Sequence, residues 1–322
     1  MDRLIDAIEA VGNPSVVGLD PTPQVVPPSL VDALEPEVAQ EIDAADLPAE
    51  RLAVAYMEFN RSIIDAVVGI VAAVKPQIAM YEALGPAGMD AYTVTCEYAA
   101  SRGLYVIGDI KRGDIGSTAV SYAAHLSGLD SGDRNGNRDL WHEDAVTVNP
   151  YLGSDGILPF VSAARDHDKD AFVLVRTSNP SSDEVQECLL DDGLHVYEHV
   201  ADLTEQWGEG TIGAHGYSRL GAVVGATQAK EAAGLRGRMP HTFFLVPGYG
   251  AQGGTSADIV PMFDSHGSGA IVNSSRGIIG AWRRDDAIDP TMGVEEILDV
   301  VSRSARKAAI AMRDDITSAL AA

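Results

Sequence analysis

The stretch Leu104-Tyr105-Val106-Ile107-Gly108-Asp109-Ile110-Lys111-Arg112-Gly113-Asp114-Ile115 decides how this chain is read. Its first five residues suit a strand buried on both faces, and the rest crowd two carboxylates and an ammonium into the strand end and the following turn. Side chains two apart on a strand share a face, so Asp109 and Lys111 are expected to point the same way, with Asp114 on the turn. Lys75 closes another apolar run, Val71-Ala72-Ala73-Val74, and completes a candidate Lys-Asp-Lys-Asp array. The plain alternative is a solvated salt bridge. Charge at the end of a buried run is costly unless paired or functional, which favours a working site.

Outward from this stretch, similar runs recur: Ser15 to Leu19, Val71 to Val74, Leu104 to Asp109, Ala145 to Asn149, Ala171 to Val175, Gly221 to Gly225, Thr242 to Val246 and Gly269 to Asn273. They are continuously apolar, as a parallel sheet covered on both faces requires. Helical patterns lie between most of them, among them Arg51 to Val68, Gly88 to Ser101, Ser154 to Arg165, Val185 to Trp207 and Ser256 to Phe263. Eightfold alternation predicts a TIM (β/α)8 barrel, with a doubly wound open sheet as the rival. The polar residues favour the barrel. Asp20, Lys75, Asp109, Asn149, Arg176 and Asn273 each stand at the end of a different run, where barrels assemble their sites.

The chain has 322 residues and is 46% hydrophobic, which predicts a single domain over 1–322 with loop insertions near 21–50 and 127–143, the latter on the surface. Lys and Arg number 23 against 47 Asp and Glu, a net charge of −24 with only five lysines. That balance argues against nucleic acid or an anionic membrane as partner, and it fits a high-salt cytoplasm. The N-terminus lacks a signal-like pattern and no segment offers about 18 uncharged apolar residues, so a cytoplasmic protein is expected. Cys96 and Cys188 have no metal-ligand spacing and read as reduced thiols in helices.

Two loops at the end of the chain read as a phosphate cradle: Pro247-Gly248-Tyr249-Gly250-Ala251-Gln252-Gly253-Gly254 and Asn273-Ser274-Ser275-Arg276-Gly277. Glycines let backbone N–H groups approach an anion, and Arg276 offers a bidentate guanidinium. Gly248, Gly250 and Gly253 also match a dinucleotide fingerprint, but the next run ends in Asn273 where a ribose-binding carboxylate is wanted. His195-Val196-Tyr197-Glu198-His199 matches a zinc pattern, yet it lies in a crossover away from the strand ends and has no third ligand, so a solvated helix is expected. Ser178 and Ser182 lack a base and orienting acid in the motif set.

Taken together, Gly18-Leu19-Asp20-Pro21, Lys75-Pro76-Gln77, Asp109 to Ile115, Thr147-Val148-Asn149-Pro150-Tyr151, Arg176-Thr177-Ser178-Asn179-Pro180 and the two late loops resemble the orotidine 5′-monophosphate decarboxylase family, in its bacterial and archaeal subgroup with longer loops. The likeness runs from Val17 to about Ile279. It implies decarboxylation of orotidine 5′-monophosphate to UMP without metal or organic cofactor. Asp20 and Lys75 would hold the ribose, Asp109 would stand beside the substrate carboxylate, and Lys111 would supply the replacing proton. Asp114, accompanied by Ile115 and Thr118, would cross into a partner's site in a homodimer. Ser178 would read the pyrimidine edge, Gln252 and Arg276 would bind the phosphate, and Asn149, Thr177, Pro247, Gly253 and Ser275 would complete the substrate contacts. Familiar smaller members often carry His where this chain has Asn149. Two other readings stay open: a Mg²⁺-dependent sugar-phosphate decarboxylase or aldolase on the same barrel, and a non-catalytic nucleotide-binding module.

Overall fold

The protein is described by a computed structural model covering residues 1–38, 43, 46–130, 137–251, 253–284 and 288–322. Eight parallel strands close into a barrel: β1 Ser15–Leu19, β2 Ala73–Pro76, β3 Tyr105–Arg112, β4 Ala145–Val148, β5 Asp170–Arg176, β6 Leu220–Val224, β7 Phe244–Val246 and β8 Ala270–Ser274. Each strand lies beside its neighbours in sequence, and β8 closes on β1. All eight runs read from the sequence are these strands, and the open-sheet rival is set aside.

The continuous apolar runs have a simple cause. Alternate residues of each strand enter two different apolar layers, so neither face shows a polar stripe. Val16, Ala73, Ile107, Ala145, Phe172, Val223, Leu245 and Ile271 pack inside the barrel, while Val17, Val74, Val106, Val146, Val173, Val224, Val246 and Val272 pack outward into the layer shared with the helices. Helix Asp2–Val11 closes the bottom, placing Leu4 and Ile5 in the inner layer. The same parity, carried two residues further, turns Lys75, Asp109, Thr147 and Asn273 inward at the mouth.

The surrounding helices include Leu47–Val67, Gly85–Ser101, Gly116–Ser127, Ser154–Asp166, Val196–Gly208 and Ala229–Arg238. The long helix Val294–Leu320 packs against Leu47–Val67. The expected helix from Val185 to Trp207 is divided. A short helix ends at Gln186, the chain turns at Asp191-Asp192-Gly193 with Gly193 at φ 88°, and a new helix starts after His195. Its N-terminus is fixed locally, because the His195 N–H donates to Glu198 Oε2 at 2.9 Å. Cys188 therefore lies outside a helix, exposed, whereas Cys96 is buried in Gly85–Ser101; both are free thiols.

The segment expected as a polar surface insertion, 127–143, contains a short antiparallel ladder of Leu129–Asp130 with Asn137–Arg138. Its end is not surface. Glu143 is fully buried, accepting from Tyr92 Oη and lying 2.8 Å from His125 Nδ1. Burying that carboxylate is sustainable only because both oxygens are partnered.

Candidate active site

The inward positions at the strand ends line a cavity of about 810 Å³ at the barrel mouth. Asp109 is its electrostatic centre, and its carboxylate is fully subscribed. Lys75 Nζ donates to Oδ2 at 2.6 Å and Gln77 Nε2 to the same oxygen at 2.9 Å. Oδ1 accepts from Lys111 Nζ, and from Thr147 Oγ1 at 2.9 Å. Burial alone would push the Asp109 carboxyl up, but the two ammoniums outweigh it and hold the group well below the usual carboxylate range. Lys75 is only 4% exposed; burial pulls its ammonium down, while Asp109 and Asp20 raise it further, for a net increase.

Lys111 reaches Asp109 by an unusual backbone. The β3–β4 register shifts between Gly108 and Arg112, so Asp109, Ile110 and Lys111 oppose Thr147 alone, and Lys111 sits in the left-handed region at φ 48°. A non-glycine residue held there costs of order 1–2 kcal/mol, a strain the surroundings must offset. Ile110 points outward into the helix layer, as alternation requires.

Of the other expected site residues, Asp20, Asn149, Thr177, Ser178, Pro247 and Ser275 line the cavity. Asp20 Oδ1 is buried with no hydrogen-bond partner, and Asn273 Oδ1, facing the same space, is in the same state. Buried acceptors left this way are ready partners for a hydroxyl-bearing ligand. Gly18 permits this packing, because a Cβ there would lie 1.9 Å from Ser275 Oγ.

Other residues stand apart. Asp114 does not line the cavity; its Oδ1 accepts from the Ile115 N–H at 2.7 Å. Ile115 and Thr118 are exposed on the outer surface. The quartet is thus a trio within one chain, since the turn after β3 carries Asp114 away from the mouth. Arg276 is exposed at the start of the short helix Arg276–Ile279, and neither it nor Gly253 lines the cavity. Gly248, Gly250 and Gly253 take φ of 99°, 72° and 100°, which is why this loop needs glycine. Gln252 lies outside the described residues. Arg176 is buried and serves the loop beyond it, donating to Asp183 at 2.9 Å and Glu187 at 2.6 Å.

Gln77 and Thr147 were visible within their motifs but carried no role; a neutral side chain in a β-rich run gives no sign that it will meet a carboxylate. The zinc-like pattern also needs correction on placement. Helix Val196–Gly208 flanks the mouth, so Tyr197 and His199 line the cavity. Glu198 is engaged by Arg238 at 3.1 Å and by the His195 N–H, and no cation-holding cluster among the described residues includes these histidines.

A family profile described as "Orotidine 5'-phosphate decarboxylase / HUMPS family" matches residues 30–289. The chain is 42% identical over 285 residues to the orotidine 5′-phosphate decarboxylase of Rhodopirellula baltica, covering 88% of this chain and 89% of that protein. It is 37% identical over 321 residues to the enzyme of that name from Clostridium acetobutylicum, covering 99% of each. Among solved structures, the OMP decarboxylase of Leishmania donovani superposes with a TM-score of 0.69 at 27% identity, covering 100% of this chain and 98% of that one.

Proposed function

The chain belongs to the orotidine 5′-phosphate decarboxylase/HUMPS family, and from that premise we propose that the barrel mouth converts orotidine 5′-monophosphate to UMP and CO2 in pyrimidine biosynthesis. The observation that carries this reading is the Asp109 carboxylate, held ionised between Lys75 and Lys111 in a preformed cavity. The C6–carboxylate bond breaks, its electron pair stays on C6 as CO2 leaves, and Lys111 Nζ delivers a proton to that carbon. The sp² carbanion has no π-system to spread into, so electrostatics must lower the barrier. Repulsion between Asp109 and a substrate carboxylate about 4 Å away is worth about 4 kcal/mol at an effective dielectric of 20. Difficult reactions need about 20 kcal/mol, so the larger share falls to Lys111, aimed in advance at the developing charge.

Binding roles follow the same layout. Asp20 and Lys75 take the ribose hydroxyls, Ser178 with Thr177 and Asn149 takes the pyrimidine, and the Pro247 and Ser275 loops with Gln252, Gly253 and Arg276 take the phosphate. Asp114, with Ile115 and Thr118, completes the site of a second copy in a homodimer. Ile115, next to Asp114 in the chain, lines one surface groove with Val120 and Leu158, and these three are 53%, 60% and 45% exposed, in keeping with such an interface. The Mg²⁺-dependent reading is disfavoured because the Asp109 oxygens already accept from four donors. We also assign the chain one barrel domain, a cytoplasmic setting and, on its net charge of −24, adaptation to high salt. No described helix is long and apolar enough to cross a membrane.

The test is Lys111→Ala. Turnover should fall by about 10³-fold or more while UMP binding changes only a few-fold, since the ribose and phosphate contacts survive. Near-wild-type turnover would remove Lys111 as proton donor.

A further inference from the structure

We infer that Thr147 is a positioning residue for the reaction, one hydroxyl that fixes the Lys111 backbone and the Asp109 carboxylate relative to each other. The inference rests on the decarboxylase reading and concerns how the site is held. Thr147 is 1% exposed and stands alone on β4, between Val146 and Val148, opposite three residues of β3. In a regular parallel ladder the Lys111 N–H would meet a strand carbonyl; here it donates to Thr147 Oγ1 at 3.0 Å. The hydroxyl has one proton, and it goes to Asp109 Oδ1 at 2.9 Å.

Both directions of the hydroxyl are therefore used, and a β-branched side chain is stiff enough to hold them. This bond is the local partner for a backbone held at φ 48°, the conformation that aims the Lys111 ammonium. Asp109 keeps three other donors, Lys75, Gln77 and Lys111, so its charge does not depend on Thr147. What depends on Thr147 is alignment. Valine has the same shape without the hydroxyl; serine keeps the hydroxyl.

The experiment compares wild type, Thr147→Val and Thr147→Ser in three readouts: kcat on orotidine 5′-monophosphate, UMP affinity by calorimetry, and hydrogen exchange at the Lys111 amide. In Thr147→Val, kcat should fall about 10- to 100-fold, the effect of a misplacement near 1 Å, with UMP affinity within about threefold. The Lys111 amide should exchange at least about tenfold faster, and Thr147→Ser should stay within about threefold of wild type throughout. The inference is overturned if Thr147→Val keeps kcat within about threefold, or if kcat and UMP affinity fall together with Thr147→Ser no better. Should Thr147→Val fail to fold, Thr147→Ala replaces it in the contrast with Thr147→Ser, and equal kcat in those two overturns it. If wild type leaves the substrate unchanged, the decarboxylase reading fails by itself; unaltered exchange at Lys111 in the hydroxyl-free variant is then what overturns the role of Thr147.

Discussion

Replacing Lys75 with methionine keeps the stem and removes a charge lying 2.6 Å from Asp109, with the two side chains only 5% and 10% exposed. Two unit charges at that separation attract by about 6 kcal/mol at an effective dielectric of 20. Burying Lys75 is itself costly, and that cost is recovered in the variant. Breaking a buried pair by removing one partner typically costs 3–5 kcal/mol. Asp109 retains Lys111, Gln77 and Thr147, which places the expected loss at the low end, about 3 kcal/mol. Urea unfolding followed by circular dichroism reads this directly, and a cycle with Asp109→Asn isolates the pair: in the Asp109→Asn background the same change should cost under about 1 kcal/mol.

The pH dependence has a definite sign. Asp109 is held below its ordinary value of 3.8, so its contribution is present above about pH 4 and is lost as pH falls further. Lys75 is raised above its ordinary 10.5, so its share is present below that value and is lost as pH rises through the folded value. The gap between wild type and Lys75→Met should be flat from about pH 6 to 8 and narrow below about pH 4. A gap under about 1 kcal/mol, or one unchanged down to acid pH, would refute the reasoning.

Mixing inactive Lys111→Ala and Asp114→Ala subunits should restore activity, because one hybrid site receives both wild-type residues; no recovery despite proven subunit exchange would refute the shared site. Since Lys111 sits at φ 48°, Lys111→Gly should be more stable than Lys111→Ala by about 1 kcal/mol in urea unfolding, and equal stability would mean the left-handed backbone carries no strain. With a net charge of −24, activity should hold or rise as KCl approaches molar concentration; a peak in dilute buffer with steady decline would contradict the adaptation to salt.

Much of the architecture was legible because a closed parallel barrel leaves a plain trace. Runs such as Leu104 to Asp109 are apolar on both faces, and the polar residue that ends most of them marks the mouth. Parity then puts Lys75 and Asp109 in one space without further information. The bulge at Lys111 was not legible, because nothing in Asp109-Ile110-Lys111 carries the glycine that usually announces a left-handed residue. Thr147 was hidden for a related reason: threonine in a strand reads as an ordinary β-former until its hydroxyl meets Asp109. The expected helix from Val185 to Trp207 ran through Asp191-Asp192-Gly193, residues whose turn chemistry breaks it in the structure. Asp114 read as the fourth member of one array, but the turn after β3 carries it away from its own chain's mouth.

The most direct measurement follows the ultraviolet absorbance of orotidine 5′-monophosphate with the purified protein, with and without EDTA. Conversion to UMP at the same rate in both conditions is the expected result. An unchanged substrate, or activity that disappears with the chelator, would contradict a site whose chemistry rests on Lys75, Asp109 and Lys111.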